Sequence, residues 1–196
     1  GLLISIAFAN WLPMHEYGVY KFVLAVGGLL AALKLTGLNQ AVTQAVARGF
    51  DKTIFSAIKL SLRWSRVMIL VSALIAIYYY WQGNEVLAIG ILLTTCGSAI
   101  LGSVGLYGAY LNGKQNFKIN AIDSALLVLG NALALFIALQ LTDNVLYIIA
   151  VNSLSSVAII LLLSVRILRN VDKTTDTSTK SLSFGKHLSF QNAFMV

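Results

Sequence analysis

Apolar runs about as long as a bilayer is thick alternate along this chain with short polar breaks. A hydrocarbon core of about 30 Å needs about 20 apolar residues in a helix. Five runs meet or approach that length, at residues 17–38, 64–81, 86–111, 121–141 and 145–168. Residues 1–9 read as the tail of another helix that starts before Gly1, which makes six spans, and a seventh is expected to begin at Lys186. The run 64–81 closes on Tyr78-Tyr79-Tyr80-Trp81, an aromatic cluster suited to a membrane–water interface. Unbroken runs of this length predict helices, because backbone in lipid must satisfy its own hydrogen bonds. A membrane barrel would show shorter segments of alternating polarity.

The breaks between runs differ in charge. Residues 10–16, 82–85 and 142–144 contain Glu16, Glu85 and Asp143 but no lysine or arginine. The other connections and their flanking helix ends hold Arg48, Lys52, Lys59, Arg63, Arg66, Lys114, Lys118, Arg166, Arg169, Lys173, Lys180 and Lys186, twelve of the fourteen basic residues. The positive-inside rule assigns those connections to the cytoplasm. Residues 170–181 (NVDKTTDTSTKS) carry one apolar side chain and read as a solvated linker. The expected organisation is a transmembrane lobe over 1–169, a cytoplasmic linker over 170–185 and the start of a seventh helix over 186–196.

Composition agrees with lipid as the solvent. Of 196 residues, 58% are hydrophobic and 11% charged, against about 25% charged in soluble domains. The net charge of +7 sits on alternate loops, which points to a membrane face and to lipid as partner, not nucleic acid. Cys96 lies inside an apolar run, and with His15 and His187 it is too few ligands for a metal site. No HExxH, paired catalytic carboxylates or Ser/His/Asp set appears, so neither an enzyme nor a cofactor is expected.

Ionisable and amide residues within or beside the spans are the candidates for function, since a charge at a helix centre costs roughly 2.5–3.5 kcal/mol on insertion scales. Lys21 and Lys34 lie in the run 17–38, thirteen residues apart, and about 140° apart around a helix. Either can snorkel to an interface or face a cavity. Lys52, Lys59, Arg63 and Arg66 form one stripe beside Phe55, Ile58 and Leu62, an amphipathic lead-in that would lie at anionic headgroups or capture a phosphate. Arg48 precedes it. Asp123 is expected in the first turn of the run 121–141, held there by the helix dipole or serving as a proton or cation site. Asn120, Ser124 and Asn131 give that run a polar face for packing or a cavity wall. Ser98, Gly102, Gly105 and Ala109 form a small-residue stripe for close helix approach.

Several segments carry a family resemblance. Leu12-Pro13-Met14-His15-Glu16-Tyr17-Gly18-Val19-Tyr20 resembles the first loop of bacterial polysaccharide flippases, the lipid-linked oligosaccharide exporters of the multidrug/oligosaccharidyl-lipid/polysaccharide superfamily. Thr36-Gly37-Leu38-Asn39-Gln40-Ala41 resembles that family's exit from its second helix, and Ala45-Val46-Ala47-Arg48 the continuation. Leu111-Asn112-Gly113-Lys114-Gln115-Asn116-Phe117-Lys118 is similar to the loop after its fourth helix, and Phe184-Gly185-Lys186-His187-Leu188-Ser189 to the entry to its seventh.

The resemblance implies an all-α transmembrane bundle, one six-helix lobe of a MATE-like two-lobe transporter. The whole would move undecaprenyl-pyrophosphate-linked oligosaccharide across the bacterial inner membrane by alternating access, for O-antigen, capsule or exopolysaccharide synthesis. Its partners would be the missing carboxy-terminal lobe, the lipid-linked oligosaccharide and a glycan polymerase. Substrate-binding candidates are Lys34, Lys21, Arg48, Lys59, Arg63, Arg66, Asn120 and Asn131, with Asp123 for a coupling ion. Lipid II flippases, drug/cation antiporters of the same superfamily and a non-transporting scaffold of glycan assembly are the alternatives. A membrane glycosyltransferase is disfavoured by the lack of an acidic cluster in a basic loop. Thiol labelling of single-cysteine variants in intact cells should leave residues 112–118 protected and label residues 82–85; the reverse pattern would overturn the orientation.

Overall fold

The computed structural model describes residues 12–169, 171 and 178–194. The helix tail expected over 1–9, linker residues 170 and 172–177, and residues 195–196 lie outside that set. The described chain is helical throughout, with α1 (Met14–Ala31), α2 (Leu38–Ala47), α3 (Thr53–Trp81), α4 (Glu85–Val104), α5 (Leu106–Gly113), α6 (Phe117–Leu141), α7 (Val145–Leu168) and α8 (Thr179–Phe194). Helices α4 and α5 meet at Gly105 and form one 29-residue rod, Glu85–Gly113. That rod, α3, α6 and α7 are each long and apolar enough to cross a bilayer, which makes this a multi-pass membrane protein. Helix α6 turns Ile122, Leu126, Leu129, Leu133 and Ile137 outward as an exposed apolar stripe, the surface that hydrocarbon, and not water, would cover.

Several of the expected boundaries move. The run 17–38 is not one helix: α1 ends at Ala31, and i→i−3 bonds from Ala32, Leu33 and Lys34 close it before α2 begins at Leu38. The Trp64 indole N–H reaches the Leu33 carbonyl at 2.9 Å and satisfies one acceptor that the break releases. Beyond it, the polar stretch after Asn39 is helical because Leu38, Ala41, Val42, Ala45 and Val46 fall on one face and are fully buried. Helix α8 starts at Thr179, earlier than Lys186. Ser178 caps it, its hydroxyl accepting from the Ser181 N–H at 3.3 Å. Helix α3 is a single 29-residue rod, about 44 Å long, so the expected amphipathic lead-in and the span behind it are one helix.

Helix α4 lies at the centre, packed against α1, α3 and α7, while α6 packs on α7, and α2 is held between α5 and α8. The last contact brings together two motifs 148 positions apart in sequence, at Gly37 and Gly185. A Cβ on Gly37 would stand 2.5 Å from the Gly185 carbonyl oxygen and 2.9 Å from the Ser189 nitrogen. The Gly37 N–H donates to the buried Ser189 hydroxyl at 2.9 Å, and that hydroxyl donates to the Gly185 carbonyl at 2.7 Å.

The three basic connections meet at one end. Lys114 pairs with Asp51, which is 6% exposed in its side chain, at 2.6 Å. The Ser178 N–H donates to Thr53 Oγ1 at 3.0 Å. These contacts join the α2–α3, α5–α6 and α7–α8 connections. The opposite end gathers Leu12, Leu87, Leu139 and Val145 in one apolar cluster, beside the edge-on rings of Phe22 and Tyr79. Charge separation along the sequence is therefore charge separation in space.

Three helix C-termini are closed by a left-handed residue whose successor bonds back to the last turn. At two of them the residue is glycine, Gly49 (φ +89°) and Gly83 (φ +78°), with Phe50 N–H on Ala45 O and Asn84 N–H on Tyr79 O. At the third it is Gln115 (φ 59°), with Asn116 N–H on Leu111 O at 2.9 Å. The nearby Gly113 serves packing instead, since a Cβ there would meet Val46 Cβ at 2.7 Å and Thr43 O at 2.8 Å. A left-handed L-residue costs about 1–2 kcal/mol, so Gln115→Gly should stabilise the protein by about 1 kcal/mol, read as a raised melting temperature in detergent. An unchanged or lowered value would contradict the backbone geometry at this turn.

Candidate functional site

The buried apolar side chains form two clusters, one toward each end, and a polar layer lies between them. Leu30, Met68, Ala99, Leu135 and Ile149 belong to one cluster, and Leu35, Ala57, Leu106 and Ile160 to the other. Along each rod the residues between these anchors include polar ones: Lys34 after α1, Ser61 and Ser65 on α3, Ser103 on α4, Asn131 on α6, and Asn152 and Ser155 on α7. In hydrocarbon an unsatisfied polar group costs several kcal/mol, and most of these pair across helices. The Asn131 amide donates to Asn152 Oδ1 at 3.0 Å and accepts from the Ser155 hydroxyl at 2.7 Å, joining α6 to α7. Ser103 donates to Ala99 O, so Ser61 is the donor in the 2.9 Å Ser61–Ser103 pair that joins α3 to α4.

Lys34 is the cation of this layer. It sits between Leu30 of one cluster and Leu35 of the other, half-buried. Its stem lies on Gly102, where a Cβ would come within 3.1 Å of Cδ and 3.3 Å of both Cε and Nζ. Gly102, read from the sequence as part of a stripe for helix packing, thus makes the slot for a lysine. No carboxylate among the described residues pairs with Lys34. Its ammonium is left to attract an anion.

The other candidates separate. Lys21 is exposed and stands 5.3 Å from the centre of the Tyr17 ring. Arg48 ends α2 at the basic end, exposed. Lys59, Arg63 and Arg66 are exposed on α3, off the face that buries Ile54, Ala57, Ser65, Met68 and Ser72. Leu62, expected in an apolar stripe beside them, is exposed as well. Asn120 and Asn131 do not share a site, because Asn120 donates to Asn112 of α5 at 2.9 Å while Asn131 bonds α7, and Ser124 is exposed. Asp123 is in the second turn of α6, not the first, since that helix begins at Phe117. It is 2% exposed and within electrostatic reach of the Tyr107 phenol.

One feature escaped the sequence reading. The outer face of α2 carries Asn39, Gln40, Thr43 and Gln44, which with Asn112 line a cavity of about 360 Å³ at the basic end. The signal was the spacing i, i+1, i+4, i+5 of polar residues interleaved with the buried apolar face.

The sequence matches the model of a family described as polysaccharide biosynthesis protein over residues 1–196. No curated protein and no solved structure matches it. The Asn131–Asn152 bond should be worth about 0.6 kcal/mol, up to about 1.7, as for other membrane-buried pairs. A double-mutant cycle with Asn131→Ala and Asn152→Ala, read by unfolding in detergent, measures it; zero coupling would remove the bond from the α6–α7 interface.

Proposed function

The chain belongs to the polysaccharide biosynthesis protein family, and on that premise we propose that it moves lipid-linked oligosaccharide across the bacterial inner membrane as one lobe of a two-lobe, alternating-access transporter. The substrate class has three parts with different solvent needs: a polyprenyl tail that stays in lipid, an anionic pyrophosphate, and a neutral, hydroxylated glycan. The protein must supply a polar, partly cationic path for the last two. The observation that carries this reading is Lys34, a half-buried lysine in the polar layer between the two apolar clusters, without a carboxylate partner among the described residues. A charge held in hydrocarbon costs up to roughly 2.5–3.5 kcal/mol, and an anion that passes through the layer accounts for bearing that cost.

The basic end is the cytoplasmic one in this reading, with Arg48, Lys59, Arg63 and Arg66 at the headgroups where the pyrophosphate would arrive. The work is transport and involves no bond-making chemistry. The buried carboxylate of Asp123 supports coupling of the movement to a proton or cation. A scaffold of glycan assembly would have no use for an unneutralised lysine in this layer.

Hydrogen bonds to charged groups contribute about 1.5–3 kcal/mol, so Lys34→Ala in the full-length transporter should lower surface glycan by roughly tenfold or more. Lys34→Arg should retain part of it, with both variants inserted at normal levels. Full export by Lys34→Ala would remove the residue from the path and take the main support from the reading.

A further inference from the structure

The amide-lined cavity on α2 has no counterpart in the anion-binding role of Lys34. We infer that this groove, formed by Asn39, Gln40, Thr43, Gln44 and Asn112, binds the neutral sugar part of the substrate and holds it by amide–hydroxyl hydrogen bonds; the inference rests on the transport reading above.

Its chemistry selects the ligand. None of the five lining side chains is charged, although Arg48, Lys52, Lys59 and Lys118 make the surrounding exposed surface of this end cationic. A phosphate would be drawn to those cations and not into the groove. A metal ion would find no carboxylate. Asn and Gln side chains each offer both a donor pair and an acceptor, as the alternating donor–acceptor character of sugar hydroxyls requires. The groove is open, with a volume of about 360 Å³, so a glycan could lie along it while its outer face stays in water.

The groove is built, not merely exposed. Helix α2 is clamped by its opposite face, where Leu38, Ala41, Val42, Ala45 and Val46 are buried. Thr43 donates to the Asn39 carbonyl at 2.9 Å and across to the Ala109 carbonyl of α5 at 3.1 Å, which ties the two walls together. The Asn112 Oδ1 accepts from Asn120 at 2.9 Å; this orients the Asn112 amide so that its own NH₂, without an acceptor among the described residues, is left for a ligand. The amides of Asn39, Gln40 and Gln44 likewise have no protein partner among the described residues. Asn120, taken from the sequence as a substrate contact, thereby becomes a positioning residue for Asn112.

The groove lies nearer the basic end than Lys34 does. Gly102, on which Lys34 lies, and Asn112 are ten residues apart on the α4–α5 rod, about 15 Å by helical rise. A pyrophosphate held at the polar layer would leave the sugars attached to it extending toward the basic end, where the amides are.

The test uses the full-length protein in its own host membrane. A photo-reactive benzoylphenylalanine is placed at Gln40 or Gln44, and for comparison at the outward-facing Leu126. After irradiation the adduct is probed for periodate-sensitive carbohydrate and for a polyprenyl lipid released by mild acid. Carbohydrate-positive adducts at Gln40 and Gln44 but not at Leu126 support the groove; adducts of ordinary phospholipid alone, or none, overturn it. In parallel, the near-isosteric pair Gln40→Glu and Gln44→Glu should cut surface glycan at least tenfold at equal protein level. If Lys34→Ala lowers export and the Glu pair does not, the groove inference fails and the transport reading stands. If neither lowers it, both fail.

Discussion

Hydrocarbon offers no hydrogen bonds, and the interior of this protein is organised around that constraint. Two apolar cores meet across a layer in which polar side chains are paired with neighbours on other helices: Ser61 with Ser103, and Asn131 with Asn152 and Ser155. These pairs fix which faces of α3, α4, α6 and α7 look inward, because rotating any of the four would strand a donor in lipid or apolar packing. Apolar packing alone would specify this poorly, since one leucine face in lipid resembles another. Lys34 is the member of the layer without a neutralising group among the described residues.

The same layer separates two kinds of work. Toward the end rich in Tyr and Trp, α1, α4 and α7 pack through close contacts, as where Gly90 faces Val23 and Ile149. Toward the basic end, α2, α5 and α8 build a second core around a short amphipathic helix, tied by the Asp51–Lys114 ion pair and by Thr43 on the Ala109 carbonyl. The polar groove opens in that second half. The close apolar contacts and the polar groove are thus divided between the two ends of the bundle.

How much of this was legible in sequence depended on the scale of the signal. Spans such as 121–141 and 145–168 were readable because hydropathy integrates over about 20 residues, and the clustering of the basic loops followed from the sorting of twelve cations. The break after Ala31 was not, because Leu33, Leu35 and Leu38 keep the run apolar through a turn that tertiary contacts such as Trp64 on Leu33 O stabilise. Residues 39–44 read only as a polar stretch since four of the six are polar, although the buried Leu38, Ala41, Val42 and Ala45 carry a helical period. Asn120 and Asn131 were placed on one helix correctly, but helical position does not reveal a partner. Asn112 and Asn152 decide what those amides do, and both lie on other helices.

The crossing of Gly37 over Gly185 restricts how α8 can move against the rest. With a hypothetical Cβ only 2.5–2.9 Å from the opposing main chain, the two backbones touch without side chains between them. Displacing α8 along its axis by one residue, about 1.5 Å, would push the bulk of Phe184 or its other neighbour toward that notch and break the Ser189 hydroxyl away from the Gly37 N–H. Ala41 and Leu38 of α2 stand against Gly185 on the same side. The joint therefore resists sliding, and it fixes the position of α8 on the helix that carries the groove.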